Sequence, residues 1–270
     1  MKTLIKNGRV IDPASSTDEV KDILLEDGII LKVDKDIKEE ADNIIDAAGC
    51  FVMPGLIDLH VHFREPGYEY KETIRTGARA AARGGFTTVC VMPDTKPVID
   101  SVDMVNFINE KARDVTDINI LPVAAVTAAQ DGEYITDFEK LADNGAVAVS
   151  EDGTSVMNAR IARQAMRLAA DVDIPVFAYC EDKNLAARGV MNAGNKAKEL
   201  GLFGIMNVVE DIMVARDILL AKNTGAKLHV CRCSTKDSVR MVEMAKQEGL
   251  NITAEVTPHN LILTEDDLTD

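Results

Sequence analysis

The stretch that decides the fold is Gly55-Leu56-Ile57-Asp58-Leu59-His60-Val61-His62-Phe63-Arg64-Glu65-Pro66-Gly67. Residues 56–61 form an apolar run of strand length, opened by Pro54-Gly55 and stopped by Pro66-Gly67, and they read as a short buried strand. His60 and His62 lie two apart, so the strand period puts both on one side. Two imidazoles converging at the C-terminal end of a buried strand make a natural pair of metal ligands. The chain holds four histidines and two fall here, which favours ligands over ordinary surface residues beside a turn.

Downstream of this strand, short apolar runs alternate with amphipathic helices. Strands are predicted at residues 56–61, 87–92, 118–126, 146–149, 174–178, 227–231 and 251–256. Helices are predicted between them at 70–83, 102–113, 137–143, 159–170, 183–187 and 208–222, with another capped by Ser234 or Thr235 and stopped by Gly249. Consecutive βα units argue for a (β/α) barrel over an open sheet. No Gly-rich phosphate loop follows any strand, which weakens a nucleotide-binding version. Upstream, residues 1–54 read as a small β unit with strands at 4–11, 23–26, 29–33 and 44–45. Asp27-Gly28 marks a hairpin there. The last predicted strand is the seventh, whereas a closed barrel needs eight.

Bulk properties narrow the function. A net charge of −15 over 270 residues argues against nucleic acid or an anionic membrane as partner. No apolar run reaches the roughly 18 residues a membrane helix needs. Five cysteines without a C-x-x-C pattern give neither a disulfide framework nor a zinc knuckle. The expected location is cytoplasmic, with reduced thiols.

At His60-Val61-His62-Phe63-Arg64-Glu65-Pro66-Gly67 the chain resembles the amidohydrolase superfamily, and within it type I dihydroorotases. Further matches follow in order: Gly84-Gly85-Phe86-Thr87-Thr88-Val89, Met92-Pro93-Asp94-Thr95, Ser150-Glu151-Asp152-Gly153, Cys180-Glu181-Asp182, Ser234-Thr235-Lys236, and Thr253 through His259. The fold class this resemblance implies is α/β. It is an amidohydrolase-type (β/α) barrel over 55–270, truncated after the seventh strand, with a β-sandwich-type unit over 1–54 that is incomplete without C-terminal strands. The implied activity is zinc-dependent hydrolysis of a cyclic amide, interconverting dihydroorotate and N-carbamoyl-aspartate in pyrimidine biosynthesis. By position, His60 and His62 hold the first metal and Asp152 bridges to a second. His62, Arg64 and Asp94 lie at substrate-binding positions. A guanidinium fork at Arg64 matches a carboxylate. The implied partners are the small-molecule substrate and further copies of the chain, or a partner covering the open barrel edge.

Four departures from the family pattern bear on activity. Tyr179 and Arg232 stand where the family has the histidines of the second metal. Asp94 stands where it has a substrate-binding asparagine, and the eighth strand with its proton-shuttling aspartate is missing from the pattern. Tyr179 ligates only as phenolate, from a pKa near 10. Arg232 has no acceptor atom. At ~4 Å and an effective dielectric of ~20, its charge costs about 4 kcal/mol per unit charge of a neighbouring cation. One zinc is therefore expected and a second is disfavoured, with impaired turnover. The alternative is an inactive homologue serving as scaffold or partner subunit. The substitutions are also complementary in charge, so Arg232 is expected to pair with Asp152, and Asp94 with Arg64. Cys180, Cys231 and Cys233 read as core thiols turned toward the helices, and His229 as a core histidine at the sheet–helix interface. His259 is assigned no metal role. Lys71, Arg75 and Arg79 recur at four-residue spacing and read as a solvated helical face.

Overall fold

The computed structural model describes residues 1–268. The chain divides into a compact unit over Met1–Leu56 and a second from Ile57 onward.

The first unit is one five-stranded sheet. Strands β1 (Lys2–Asp12), β2 (Thr17–Glu26) and β3 (Ile29–Asp34) run antiparallel in sequence, and β4 (Asn43–Asp46) and β5 (Phe51–Val52) pair in parallel with β1. The turn at Asp27-Gly28 has positive φ at both residues, as its Asp-Gly sequence favours. Leu4, Leu24 and Ile37 form the buried cluster. Asp22 is buried beside it and accepts hydrogen bonds from the backbone of Asn7 (2.9 Å) and Ile37 (3.0 Å).

The second unit carries a seven-stranded, curled half-barrel sheet. Its strands are β6 (Leu56–Val61), β7 (Phe86–Val91), β8 (Asn119–Ala125), β9 (Ala148–Ser150), β10 (Val176–Tyr179), β13 (Leu228–Cys231) and β14 (Ile252–Ala254). They neighbour one another in sequence order, and the registers from β7 through β14 are parallel. The intervening helices are α1 (Ile74–Arg83), α2 (Val102–Val115), α3 (Phe138–Asp143), α4 (Ala159–Asp171), α5 (Lys183–Ala186), α6 (Asn195–Glu199), α7 (Val208–Thr224) and α8 (Lys236–Gln247). A two-stranded pair, β11 (Met191–Asn192) with β12 (Gly204–Ile205), and a short α9 (Pro258–Ile262) complete it.

Strand alternation sorts the side chains into two layers. Val89, Val91, Val176, Ala178, Leu228 and Val230 join the main core with the helices. Cys90, Met92, Val123, Ala148, Phe177 and Cys231 pack with one another on the opposite, concave side. The founding strand β6 departs from expectation. It is an edge of the sheet among the described residues, so Leu56, Ile57 and Leu59 are 44%, 62% and 38% exposed rather than buried.

The loop after β6 is fixed from several directions. The Glu65 carboxylate is buried, accepts the Ile74 N–H at the start of α1 (2.8 Å) and meets Lys111 of α2 (3.2 Å). Gly67 has φ +94°, and a Cβ there would lie 2.2 Å from the Lys96 carbonyl, so only glycine fits. Helix α1 starts at Ile74, after a Thr73–Thr76 capping box. Lys71 therefore lies in the preceding turn and does not share a helical face with Arg75 and Arg79.

Candidate metal centre

The site is assembled at the C-terminal ends of the strands, where a parallel βα sheet places its chemistry. His60 and His62 leave β6 with ring centroids 5.2 Å apart. Asp152, two residues past β9, is 2% exposed and faces both rings. Its Oδ1 lies 3.3 Å from His60 Nε2 and its Oδ2 3.5 Å from His62 Nε2. Donor atoms of His60, His62 and Asp152 lie within 4.8 Å of one another, close enough to share one ion. His60 Nε2 is buried without a hydrogen-bond partner. A buried, orphaned ring nitrogen aimed at a carboxylate and a second imidazole is what a borderline-soft divalent cation would satisfy. These three residues fit a metal ion.

Positions 179 and 232 do not. Arg232 Nη2 donates to Asp152 Oδ1 at 2.7 Å, and its guanidinium stacks 4.6 Å over the Tyr179 ring. Tyr179 Oη donates to Glu181 at 2.9 Å. Burial, then the Glu181 carboxylate, pushes the phenol up to about 12, away from the phenolate a metal would need. On the other flank Arg64 Nη1 donates to Asp94 Oδ2 at 2.5 Å, and Asp94 Oδ1 sits 2.8 Å from His62 Nδ1. Both ion pairs expected from charge complementarity are therefore present. Arg64 and Arg232 have φ of +58° and +50°, the left-handed region that non-glycine residues rarely adopt. At Arg232 that backbone turn interrupts strand alternation and brings the side chain into the pocket.

The same turn explains two corrections. His229 and Cys231 lie on the concave side of β13, against Phe177 of β10, not on the helix side, because the count back from Arg232 crosses the break in alternation. His229 is buried there, with Nδ1 2.8 Å from Thr253 Oγ1 and Nε2 3.2 Å from Glu255 Oε2. Cys180 and Cys233 do face the helices. Burial raises Cys180 and Cys231 well above the usual thiol range and Cys233 to about 12. His259 is exposed on α9.

Sequence reasoning missed Glu255. It follows β14 and its Oε1 lies 2.5 Å from His60 Nδ1, while Oε2 meets His229. The available signal was an acid ending an apolar strand at the barrel mouth. Burial works against charge at Glu255, but His229 and His60 outweigh it and hold the carboxyl down at about 2. Burial likewise works against charge at His60, yet Asp152 and Glu255 raise it to about 9. Burial opposes the Asp152 carboxylate too, but His60 and Arg232 bring it below its ordinary value.

Two cavities flank the cluster. One of about 500 Å³ is lined by Arg64, Lys71, Asp94, Gln130, Asp152 and Thr154. Another of about 360 Å³ is lined by Tyr179, Arg232, Ser234, Thr257 and Asn260 among others. Arg64, Asp94 and Asp152 thus open onto one space large enough for a small ligand.

Paired histidines and a carboxylate at the mouth of a curled βα sheet are the architecture of an amidohydrolase. The profile of the family described as Dihydro-orotase-like matches residues 49–238, and the chain belongs to that family. A dihydroorotase from Solibacter usitatus is 47% identical over 268 residues, covering 99% of this chain and 62% of that protein. One from Staphylococcus epidermidis is 46% identical over 267 residues, again covering 62% of the relative. The chain thus spans about three-fifths of the length of the relatives it matches. Among solved structures, an L-hydantoinase (dihydropyrimidinase) from Arthrobacter aurescens superposes with a TM-score of 0.83 at 24% identity, covering 98% of this chain and 60% of the other. That likeness supports the fold. Among the described residues no helix is long and apolar enough to cross a membrane.

Proposed function

We propose that the chain carries the half-site of a cytoplasmic, zinc-dependent cyclic amidohydrolase of dihydroorotase type, holding one zinc through His60, His62 and Asp152, with turnover strongly impaired. The observation that carries this reading is the convergence of those three donors around a buried His60 nitrogen that has no other partner. A bound divalent cation supplies Lewis-acid chemistry for amide hydrolysis. The substrate class is dihydroorotate and N-carbamoyl-aspartate, as the dihydroorotase relatives suggest.

The protein's own residues supply positioning. Arg64 faces the cavity as a fork for the substrate carboxylate. Asp94 already occupies that fork and repels an incoming anion, so binding must displace it. Asp152 is similarly engaged by Arg232, and the carboxylate that should orient the reacting groups is partly neutralised by a fixed organic cation. Lys71 lines the same cavity and is the further cation available to a substrate anion.

These two ion pairs also favour the second reading, a catalytically inactive homologue retained as scaffold or partner subunit. Turnover and bound zinc, measured together, separate the two. Dihydroorotate hydrolysis by this chain is expected to be far below an ordinary enzyme rate. Tyr179→His with Arg232→His is expected to raise the bound zinc from one toward two. Ordinary turnover by the unaltered chain would overturn the impairment. No zinc bound by either form would overturn the enzyme reading and leave the scaffold.

A further inference from the structure

We infer that Glu255 is a positioning residue that fixes the His60 ring with Nδ1–H toward itself, so that Nε2 faces His62 and Asp152 as the ligand nitrogen. This rests on the single-cation reading above. Three observations carry it.

The first is directional. His60 has two ring nitrogens with opposite surroundings: Nδ1 lies 2.5 Å from Glu255 Oε1, while Nε2 has no hydrogen-bond partner and lies 3.3 Å from Asp152 Oδ1. A carboxylate is only an acceptor, so it selects the imidazole form that carries hydrogen on Nδ1. That form presents a lone pair at Nε2, on the side where the other two donors lie.

The second is anchorage. Glu255 is itself held from behind, because its Oε2 takes His229 Nε2 at 3.2 Å, and His229 Nδ1 meets Thr253 Oγ1 at 2.8 Å. The His229 ring packs 4.9 Å from Phe177 inside the concave layer. A hydrogen-bonded chain therefore runs from Thr253, at the exposed end, through the buried His229 and the half-buried Glu255 to His60, and it crosses from β14 to β6. Carboxylates that orient ligating imidazoles in this way stiffen the site and make the ligand nitrogen more basic.

The third removes a rival role for the same carboxylate. His60, Cys231 and Glu255 also lie within 4.8 Å of one another and could hold an ion between them. The 2.5 Å contact closes the gap between His60 Nδ1 and Glu255, leaving no room for an ion there. The open position is at Nε2, away from Glu255.

The test uses the full chain and cobalt or zinc, with no substrate. In the zinc-loaded protein, nitrogen NMR is expected to show His60 bound through Nε2 with hydrogen on Nδ1. Glu255→Ala is expected to weaken cobalt binding by about 10- to 100-fold. Glu255→Gln, whose carbonyl still accepts, should lose less, and Glu255→Asp should recover part of the loss. Circular dichroism confirms that each variant folds, and the NMR arm needs no variant. Binding through Nδ1, or unchanged cobalt affinity in a folded Glu255→Ala, would overturn the inference. So would a sulfur-to-cobalt charge-transfer band abolished by Cys231→Ser, because Glu255 and Cys231 would then be ligands themselves. If the unaltered chain bound no cobalt at all, the single-cation reading would fall as well. Normal binding with insensitivity to Glu255 would sink only the positioning role.

Discussion

Replacing Arg232 with glutamine should tighten metal binding while loosening the metal-free fold. The guanidinium stands 2.7 Å from Asp152 Oδ1, so an ion ligated by that carboxylate would lie about 4 Å from the positive charge. At an effective dielectric of ~20 the repulsion against a divalent ion is about 8 kcal/mol, an upper bound. The Arg232 side chain is 35% exposed and can swing into water, which cuts the realised cost to about 2–3 kcal/mol. The expected gain in zinc affinity is therefore roughly 30- to 150-fold. Asp152 is 1% exposed at its side chain and loses a partner, but His60 and His62 remain beside it at 3.3 and 3.5 Å. The destabilisation should fall below the usual cost of stranding a buried charge, at about 1–2 kcal/mol. Calorimetric zinc titration and denaturant melts of the metal-free protein measure the two effects separately. Equal or weaker zinc affinity in a folded Arg232→Gln protein would refute the claim that this arginine competes with a cation.

Other perturbations probe other contacts. Asp94→Asn frees Arg64 while keeping an acceptor for His62, and N-carbamoyl-aspartate should bind about tenfold more tightly by calorimetry. In the metal-free protein His60 is raised from 6.5 to about 9, so its stabilising contribution is complete below pH 6.5 and lost as pH rises through about 9. Glu255 is lowered from 4.5 to about 2, so its contribution is complete above pH 4.5 and lost as pH falls through about 2. Their joint contribution to denaturant stability should therefore be greatest between pH 4.5 and 6.5 and decline on both sides. A Cβ on Gly77 would lie 2.3 Å from the Phe63 ring, so Gly77→Ala should destabilise by about 1–3 kcal/mol despite its better helix propensity, as read from the melting midpoint.

The order of βα units and the convergence of the two histidines were legible because both rest on local patterns. The apolar runs at β6–β10, β13 and β14 are bounded by turn residues, and the His60-x-His62 spacing is read from strand geometry alone. The two ion pairs were legible from charge, since each altered residue carries the sign opposite to a neighbour. What was not legible depends on neighbours in space. The run from Leu56 to Leu59 looks like a core strand, and only the sheet order makes it an edge with exposed side chains. The orientation of His229 and Cys231 could not be counted through Arg232, whose left-handed backbone no local pattern announces. Glu255 acquires its role from β6, 195 residues away in sequence. Helix α9 is a different case, because Thr257-Pro258 with Asn260 is a capping box with proline in its first turn and could have been read.

The central claim is that His60, His62 and Asp152 share one ion while Arg232 denies the site a second. Metal analysis of the purified chain after zinc equilibration tests it most directly. One zinc per chain, lost in His62→Ala and in Asp152→Ala, is the predicted result; two zinc ions per chain, or one that survives both substitutions, would contradict it.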